Sequence, residues 1–430
     1  MTIGFAGLSH LGIVSSLAAA AKGFEVVGFD PDAALCEALI GGELPVFEPG
    51  LDDLLAAHRS RIRFTADPSQ LRACQLMVVS PDVPTDHANR SDLASIERIV
   101  AQVLAATAPS ATVVILSQVP PGLTRRLAAG PASGRTLYYQ VETLVFGRAV
   151  ERALQPERFI VGCAAPETAL PAPYAAWLGS FGCPIARMRY ESAELAKIAI
   201  NMFLASSVST TNTLAELCEA IGAEWDEIAP VLKLDRRIGP HAYLSPGLGI
   251  AGGNLERDLT TIGGLAREWG TDTAVVDAWL SNSRARREWP LRTLQTELLS
   301  RTEGAPTIAV WGLAYKPDTR SMKNAPSLSL LEALRPYAVR AYDPQAVLSR
   351  PDWTHVRQVA SALDACQGAD ALVIMTPWAE FASIDAARIR EHLAGRLIID
   401  PYGVLPVSRC EALGLRHVRL GSPSRAEQVA

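Results

Sequence analysis

The chain opens on the apolar run TIGFAGL at 2–8, which predicts a strand, then a turn and a small-residue helix over LGIVSSLAAAAKG. A second apolar run, EVVGFD, predicts a strand ending at Asp30. The alternation continues through strand QLMVVSP, helix SIERIVAQVLAATA and strand ATVVILSQ, short apolar runs exchanging with longer periodic ones. Residues 187–221 then read as one long helix closed by Gly222. About 30 residues at ~1.5 Å each would run about 45 Å, enough to link two domains. After the polar segment RTEGAPT, strand TIAVWGLAYKPDT, helix SLSLLEAL and strand VRAYDP, ending at Asp343, begin a second α/β unit. The pattern predicts an α/β protein with two Rossmann-like, doubly wound domains joined by a long central helix and a helical domain.

The first unit carries the order of elements that places a dinucleotide pyrophosphate on a helix N-terminus and an acidic side chain on the adenosine ribose. Its turn runs Gly7, Leu8, Ser9, His10, Leu11, Gly12, so Ser9 replaces the middle glycine of G-x-G-x-x-G. A serine here is expected either to hydrogen-bond the phosphate or to push it outward. Asp30 selects NAD over NADP, because a carboxylate accepts a ribose 2′-OH and repels a 2′-phosphate. Pro120 and Pro121 fix φ and make a rigid exit from the strand at 111–118. A doubly wound domain without any cofactor stays open as the plainer reading.

The stretch 237–259, RIGPHAYLSPGLGIAGGNLERDL, joins a positive charge, a run of glycines and an acid/base pair. Gly247, Gly249, Gly252 and Gly253 tolerate φ > 0 and let backbone N–H groups close on a ligand, and Arg257 with Asp258 then opens a helix. On composition alone a tight surface turn explains the same glycines equally well. The pattern Pro246, Gly247, Gly249, Gly252, Gly253, Asp258 resembles the P-G-x-G-F-G-G-x-C-x-x-K-D signature of the UDP-glucose/GDP-mannose dehydrogenase family, with Asn254 in place of the nucleophilic cysteine.

The resemblance extends along nearly the whole chain. SQVPPGLT at 117–124 resembles the family's S-T-V-P-P-G-T-T, with Gln118 where a threonine helps position catalytic water. The segment at 136–150 resembles N-P-E-x-x-x-E-G, keeping Glu142 and Gly147 but placing Phe146 where the glutamate of thioester hydrolysis belongs. Glu194, Lys197 and Asn201 match E-x-A-K-x-x-x-N and share one helical face, which otherwise reads as a solvated polar stripe. Arg237 stands where the family's arginine reaches a neighbouring subunit's sugar nucleotide, the alternative being a surface salt bridge. Tyr243 is expected at the nucleotide. Gly312 to Pro317 resembles G-L-A-F-K-P, whose lysine contacts the UDP phosphates, here Lys316 beside Tyr315. The acidic positions that follow in the family are absent at 319–325. IIDPYGVL matches the family's last strand, with Tyr402 where many members place a substrate arginine.

These matches imply an NAD-binding domain at 1–186, a helical dimerisation domain at 187–300 and a nucleotide-sugar-binding domain at 301–430, assembled as a homodimer with Arg237 acting across the interface. They imply a catalytic set of Lys197, Asn201, Asp258, Asn254, Gln118 and Glu142, a cofactor set of Gly7, Ser9, Gly12, Asp30 and Pro120, and a substrate set of Arg237, Tyr243, Gly247, Gly249, Tyr315, Lys316 and Tyr402. Family members oxidise a sugar C6 alcohol to a carboxylate by two hydride transfers to NAD, the second through a cysteine adduct. With Asn254, Phe146 and Gln118 in this chain, the expected activity is an NAD-dependent single or redox-neutral hydride transfer on a nucleotide sugar, UDP-linked first. An acid-forming route without a covalent adduct and a non-catalytic sugar-nucleotide binder are the alternatives.

Composition narrows the partners. At 430 residues, 49% hydrophobic and 20% charged, the chain is a globular protein of two or three domains. A net charge of −5 with interspersed signs gives no nucleic-acid or anionic-membrane surface. The seven cysteines show no C-x-x-C spacing and there are no histidine clusters, so no metal site is expected. No apolar run reaches the ~20 residues of a membrane span. The N-terminus lacks signal-peptide features, which makes a cytoplasmic location the expectation.

Overall fold

A computed structural model describes residues 1–86, 91–302 and 304–423. The chain forms two compact units, Met1–Ile200 and a second from Asn201 onward. The division falls inside the long helix, Tyr190–Ile221.

The first unit holds an eight-stranded sheet in the order β3-β2-β1-β4-β5-β6-β7-β8. Its strands are β1 Thr2–Ala6, β2 Glu25–Phe29, β3 Ile62–Thr65, β4 Leu76–Val79, β5 Thr112–Ile115, β6 Thr136–Gln140, β7 Phe159–Cys163 and β8 Ile185–Arg189. All neighbours are parallel except β6 and β7. β4 and β5 are buried at every residue, which is why they read as continuous apolar runs without alternation. Separate apolar clusters form around Phe5, Leu17 and Trp177 and around Met77, Val113 and Tyr139. Strand order reverses between β1 and β4, and α1, His10–Ala21, starts at that crevice.

The second unit holds a six-stranded parallel sheet in the order β11-β10-β9-β12-β13-β14. These strands are β9 Thr307–Trp311, β10 Ala338–Tyr342, β11 Val356–Gln358, β12 Ala371–Ile374, β13 Leu397–Ile399 and β14 Arg416–Val418. Helices Trp225–Leu234, Asn254–Trp269 and Ala274–Arg287 precede it.

Three boundaries differ from the sequence reading. The long helix begins at Tyr190 rather than near 187, because Arg187 and Met188 extend β8 beside β7. IIDPYGVL supplies β13, and a further strand, β14, pairs outside it. The helix expected to open at Arg257 opens at Asn254, which places Arg257 and Asp258 in its second turn.

Glu194 shows how the long helix organises the first unit. Its fully buried carboxylate accepts the N–H groups of Gly122 at 2.6 Å and Thr124 at 2.8 Å, capping helix Leu123–Ala129. Burial pushes this carboxyl above the usual glutamate range, against the pull of those amides. A raised folded-state pKa favours the protonated form, so its contribution to stability is complete below the ordinary glutamate value and lost as pH rises through the raised one. Denaturant titrations at mildly acidic and at alkaline pH should therefore show Glu194→Gln gaining on the unmodified chain as pH rises. A difference that does not change with pH would remove the burial argument.

Candidate active site

In the first unit the cofactor turn is shaped by backbone crowding. A methyl group on Gly12 would stand 1.9 Å from the Gly7 carbonyl oxygen, so only glycine lets α1 start this close to β1. Asp30 accepts from Leu8 N–H at 2.7 Å and from Asp32 N–H at 3.0 Å. Its carboxylate thus ties the turn to the end of β2 and keeps lone pairs for a ribose hydroxyl. These residues fit a dinucleotide. Of the two expectations for Ser9, the hydrogen bond to phosphate is the one its contacts disfavour: its hydroxyl donates to Ser80 O at 3.2 Å and accepts from Asp82 N–H at 2.8 Å. Its proton is engaged by the end of β4, so the hydrogen bond to phosphate expected from sequence is not available.

Around the turn lie groups the sequence reading missed. His10, buried at the start of α1, places Nε2 2.8 Å from Glu48 Oε1. Glu48 is itself buried and also accepts from Gly147 N–H at 3.0 Å and Ala149 N–H at 3.2 Å, pinning the loop after β6. Phe146 in that loop stacks on His10, ring centroids 4.4 Å apart. Glu142 accepts from Leu144 N–H and pairs with Lys197 Nζ at 3.1 Å, both side chains largely buried. Gln118 and Pro120 lie partly buried just beyond β5. Glu48 is 38 residues from His10, so no local spacing signals the pair.

In the second unit the glycine-rich loop is held from below. Gly247 N–H donates to Asn212 Oδ1 at 2.9 Å and Ile250 N–H to Ser283 Oγ at 2.8 Å. Those two amides are therefore not free to close on a ligand, as the sequence reading had the loop's N–H groups do. At Gly249 and Gly252 φ is +80° and +82°, and added methyl groups would stand 2.4 Å from Ser283 O and 2.8 Å from the Tyr315 ring. The loop ends at Gly253, and Asn254 is the exposed first residue of helix Asn254–Trp269, at its positive dipole end. Asp258, buried, accepts from Asn201 Nδ2 at 2.5 Å and lies 3.4 Å from Arg257 Nε. Asn324 donates to Gly252 O at 3.0 Å and to Glu256, which pairs with Arg287 at 2.8 Å.

The remaining substrate candidates divide by exposure. Arg237, whose side chain is 90% exposed, forks onto Asp235 at 2.6 and 3.0 Å, and Tyr243 is exposed nearby in sequence. Lys316 Nζ lies 5.8 Å from the Tyr315 ring centroid. The Tyr402 hydroxyl, pushed up by burial, donates to Met375 O at 3.4 Å. Among the described residues no three His, Cys, Asp or Glu side chains form a metal-holding group, and no helix is long and apolar enough to cross a membrane.

Two doubly wound sheets, a glycine-shaped turn at the start of α1 and a glycine-rich loop leading into helix Asn254–Trp269 are the arrangement that comparison with known proteins identifies. The chain belongs to the UDP-glucose/GDP-mannose dehydrogenase family, matching its NAD-binding domain over residues 1–176, its central domain over 191–284 and its UDP-binding domain over 309–406. It is 31% identical over 441 residues to a UDP-glucose 6-dehydrogenase of Pseudomonas aeruginosa, covering 97% of this chain and 96% of that one. Its fold is similar to those of a UDP-glucose dehydrogenase from Pyrobaculum islandicum, with TM-score 0.83, 24% identity and 94% of each chain covered, and a UDP-D-ManNAc dehydrogenase from Pyrococcus horikoshii, with TM-score 0.84, 24% identity and 98% and 99% covered.

The dual engagement of Asp30 decides how its cofactor preference is tested. Asp30→Asn keeps one acceptor for the turn and removes the charge, so the ratio of NADPH to NADH dissociation constants should fall by about tenfold or more, the equivalent of roughly 1.4 kcal/mol. Fluorescence titration with both reduced cofactors measures it, and equal affinities in the unmodified chain would remove Asp30 from the selecting role.

Proposed function

We propose that this protein transfers a single hydride, or one hydride out and back, between a nucleotide sugar and NAD, UDP-sugars being the first candidates. The observation that carries the reading is residue 254. The first position of a helix stabilises a thiolate, and a cysteine there can hold an aldehyde for a second oxidation. Asn254 has no thiol and its amide is not a nucleophile of that kind. Phe146 supplies no base for a thioester, and Gln118 lacks the hydroxyl of the family's threonine.

What supports a surviving first transfer is the polar equipment kept elsewhere. NAD, when bound, supplies the hydride acceptor. In this reading Lys197, Asn201 and Asp258 hold the reacting oxygen and its proton, Glu142 fixes the lysine head, Tyr315, Lys316 and Tyr402 bind the nucleotide sugar, and Gly247 and Gly249 leave it room to approach the loop. Exposed Leu214, Leu217 and Ile221 on the long helix, with Val231 and Leu234 on the next, favour a homodimer that covers them. Arg237 then acts on the partner's nucleotide. Sedimentation at micromolar concentration should give at least a dimer, and a monomer would end both the interface and the trans role of Arg237.

The decisive measurement is NADH formed per sugar consumed, starting with UDP-glucose. One or none is expected, without a covalent sugar adduct by intact mass. Asn254→Cys should trap substrate as a thioester, and Asn254→Cys with Phe146→Glu should release some uronate, slowly, because Gln118 still leaves the water misplaced. Two NADH per sugar in the unmodified protein would replace this reading with acid formation through a hydrated aldehyde. Binding without turnover across nucleotide sugars would replace it with a non-catalytic binder.

A further inference from the structure

We propose that the Asp82 carboxylate competes with the dinucleotide pyrophosphate for the amino end of α1, so that cofactor binding is tied to proton uptake at Asp82. The inference rests on the NAD-binding reading of the first unit and adds a residue that governs its affinity.

Three observations place the carboxylate. Asp82 follows β4 by three residues and its own N–H donates to Ser9 Oγ at 2.8 Å, which fastens it to the residue preceding α1. Ser9 gives α1 no side-chain cap and the first turn of α1 contains no acidic residue, so its amides lack an anion of their own. The Asp82 carboxyl lies close enough to the His10 amide for that amide to favour its charged form. An anion is therefore already stationed where helix amides and the β1–β4 crevice would receive a phosphate.

Its neighbours make that position responsive. Partial removal from water raises the carboxyl above the ordinary aspartate range, His10 draws it down, and Glu142 pushes it up. Those two facing groups have partners of their own, Glu48 on His10 and Lys197 on Glu142. Asp82 nonetheless remains exposed to solvent, so protons reach it. A pyrophosphate carrying two negative charges beside an ionised Asp82 pairs like charges, and protonation relieves them. Affinity is then complete below the raised pKa and falls as pH rises through it, by at most about tenfold per pH unit for one proton.

Calorimetric titration with NADH, in two buffers of different ionisation enthalpy and away from phosphate, counts the protons directly. The unmodified protein should take up a fraction of a proton, with affinity falling as pH rises. Asp82→Asn should take up none, lose the pH dependence and bind at neutral pH about tenfold more tightly, with thermal unfolding confirming that it is folded. NADH binding without proton uptake, or weaker binding by folded Asp82→Asn, would overturn the inference while leaving the cofactor reading intact. Failure of both folded proteins to bind NADH would overturn the two together.

Discussion

One carboxylate-to-amide hydrogen bond is made twice in this protein, and the two nucleotide folds depend on it. At the end of β2, Asp30 receives Leu8 N–H at 2.7 Å; at the end of β10, Asp343 receives Leu313 N–H at 2.7 Å. In each case the preceding glycine donates its N–H to the last residue of the neighbouring strand, Gly7 to Phe29 and Gly312 to Tyr342. The bond turns the chain sharply at the switch in strand order, the place where open parallel sheets bind ligands. The folds diverge in what each carboxylate has left. Asp343 also takes the N–H groups of Ala314, Gln345, Ala346 and the Trp378 indole, and is buried. Five donors exhaust a carboxylate, whereas Asp30 with two retains capacity for a ribose.

The folds were legible where strands are short apolar runs, as in β1, β4, β5 and β9, and turn glycines such as Gly7 and Gly12 are enforced by contacts too close for any side chain. The long helix was legible from its apolar spacing, although its start was not, since β8 has the same composition as a helix entry and only pairing with β7 decides it. The site was legible where chemistry sits in contiguous motifs, as at 246–258, and illegible where it depends on distant pairing. Ser9 illustrates the limit: a hydroxyl facing a phosphate and a hydroxyl clipping two strand ends are the same letter, and Ser80 and Asp82 decide between them.

Phe146 and Asn254 differ in how their substitutions are accommodated. Phe146 is built in: it lies flat on His10, whose other partner, Glu48, also pins the loop that carries Phe146. A glutamate at 146 would give up that stack, in a loop whose backbone is held by Glu48 through Gly147 and Ala149. Asn254 is not built in. It is exposed at a helix start whose framework, Gly252 against Tyr315 and Glu256 against Arg287 and Asn324, is formed by other residues.

That asymmetry orders the chemistry. Restoring a carboxylate at 146 gives up the ring stack on His10, although Phe146 is itself 42% exposed. A position standing free at a helix N-terminus accepts a thiol with little rearrangement, and the helix dipole favours its ionised form. On the proposed reading, a thiol at 254 restores adduct formation alone, and hydrolysis still lacks a base at 146. Acid formation in that reading lacks two parts together, a thiol at the start of helix Asn254–Trp269 and a carboxylate where Phe146 stacks on His10.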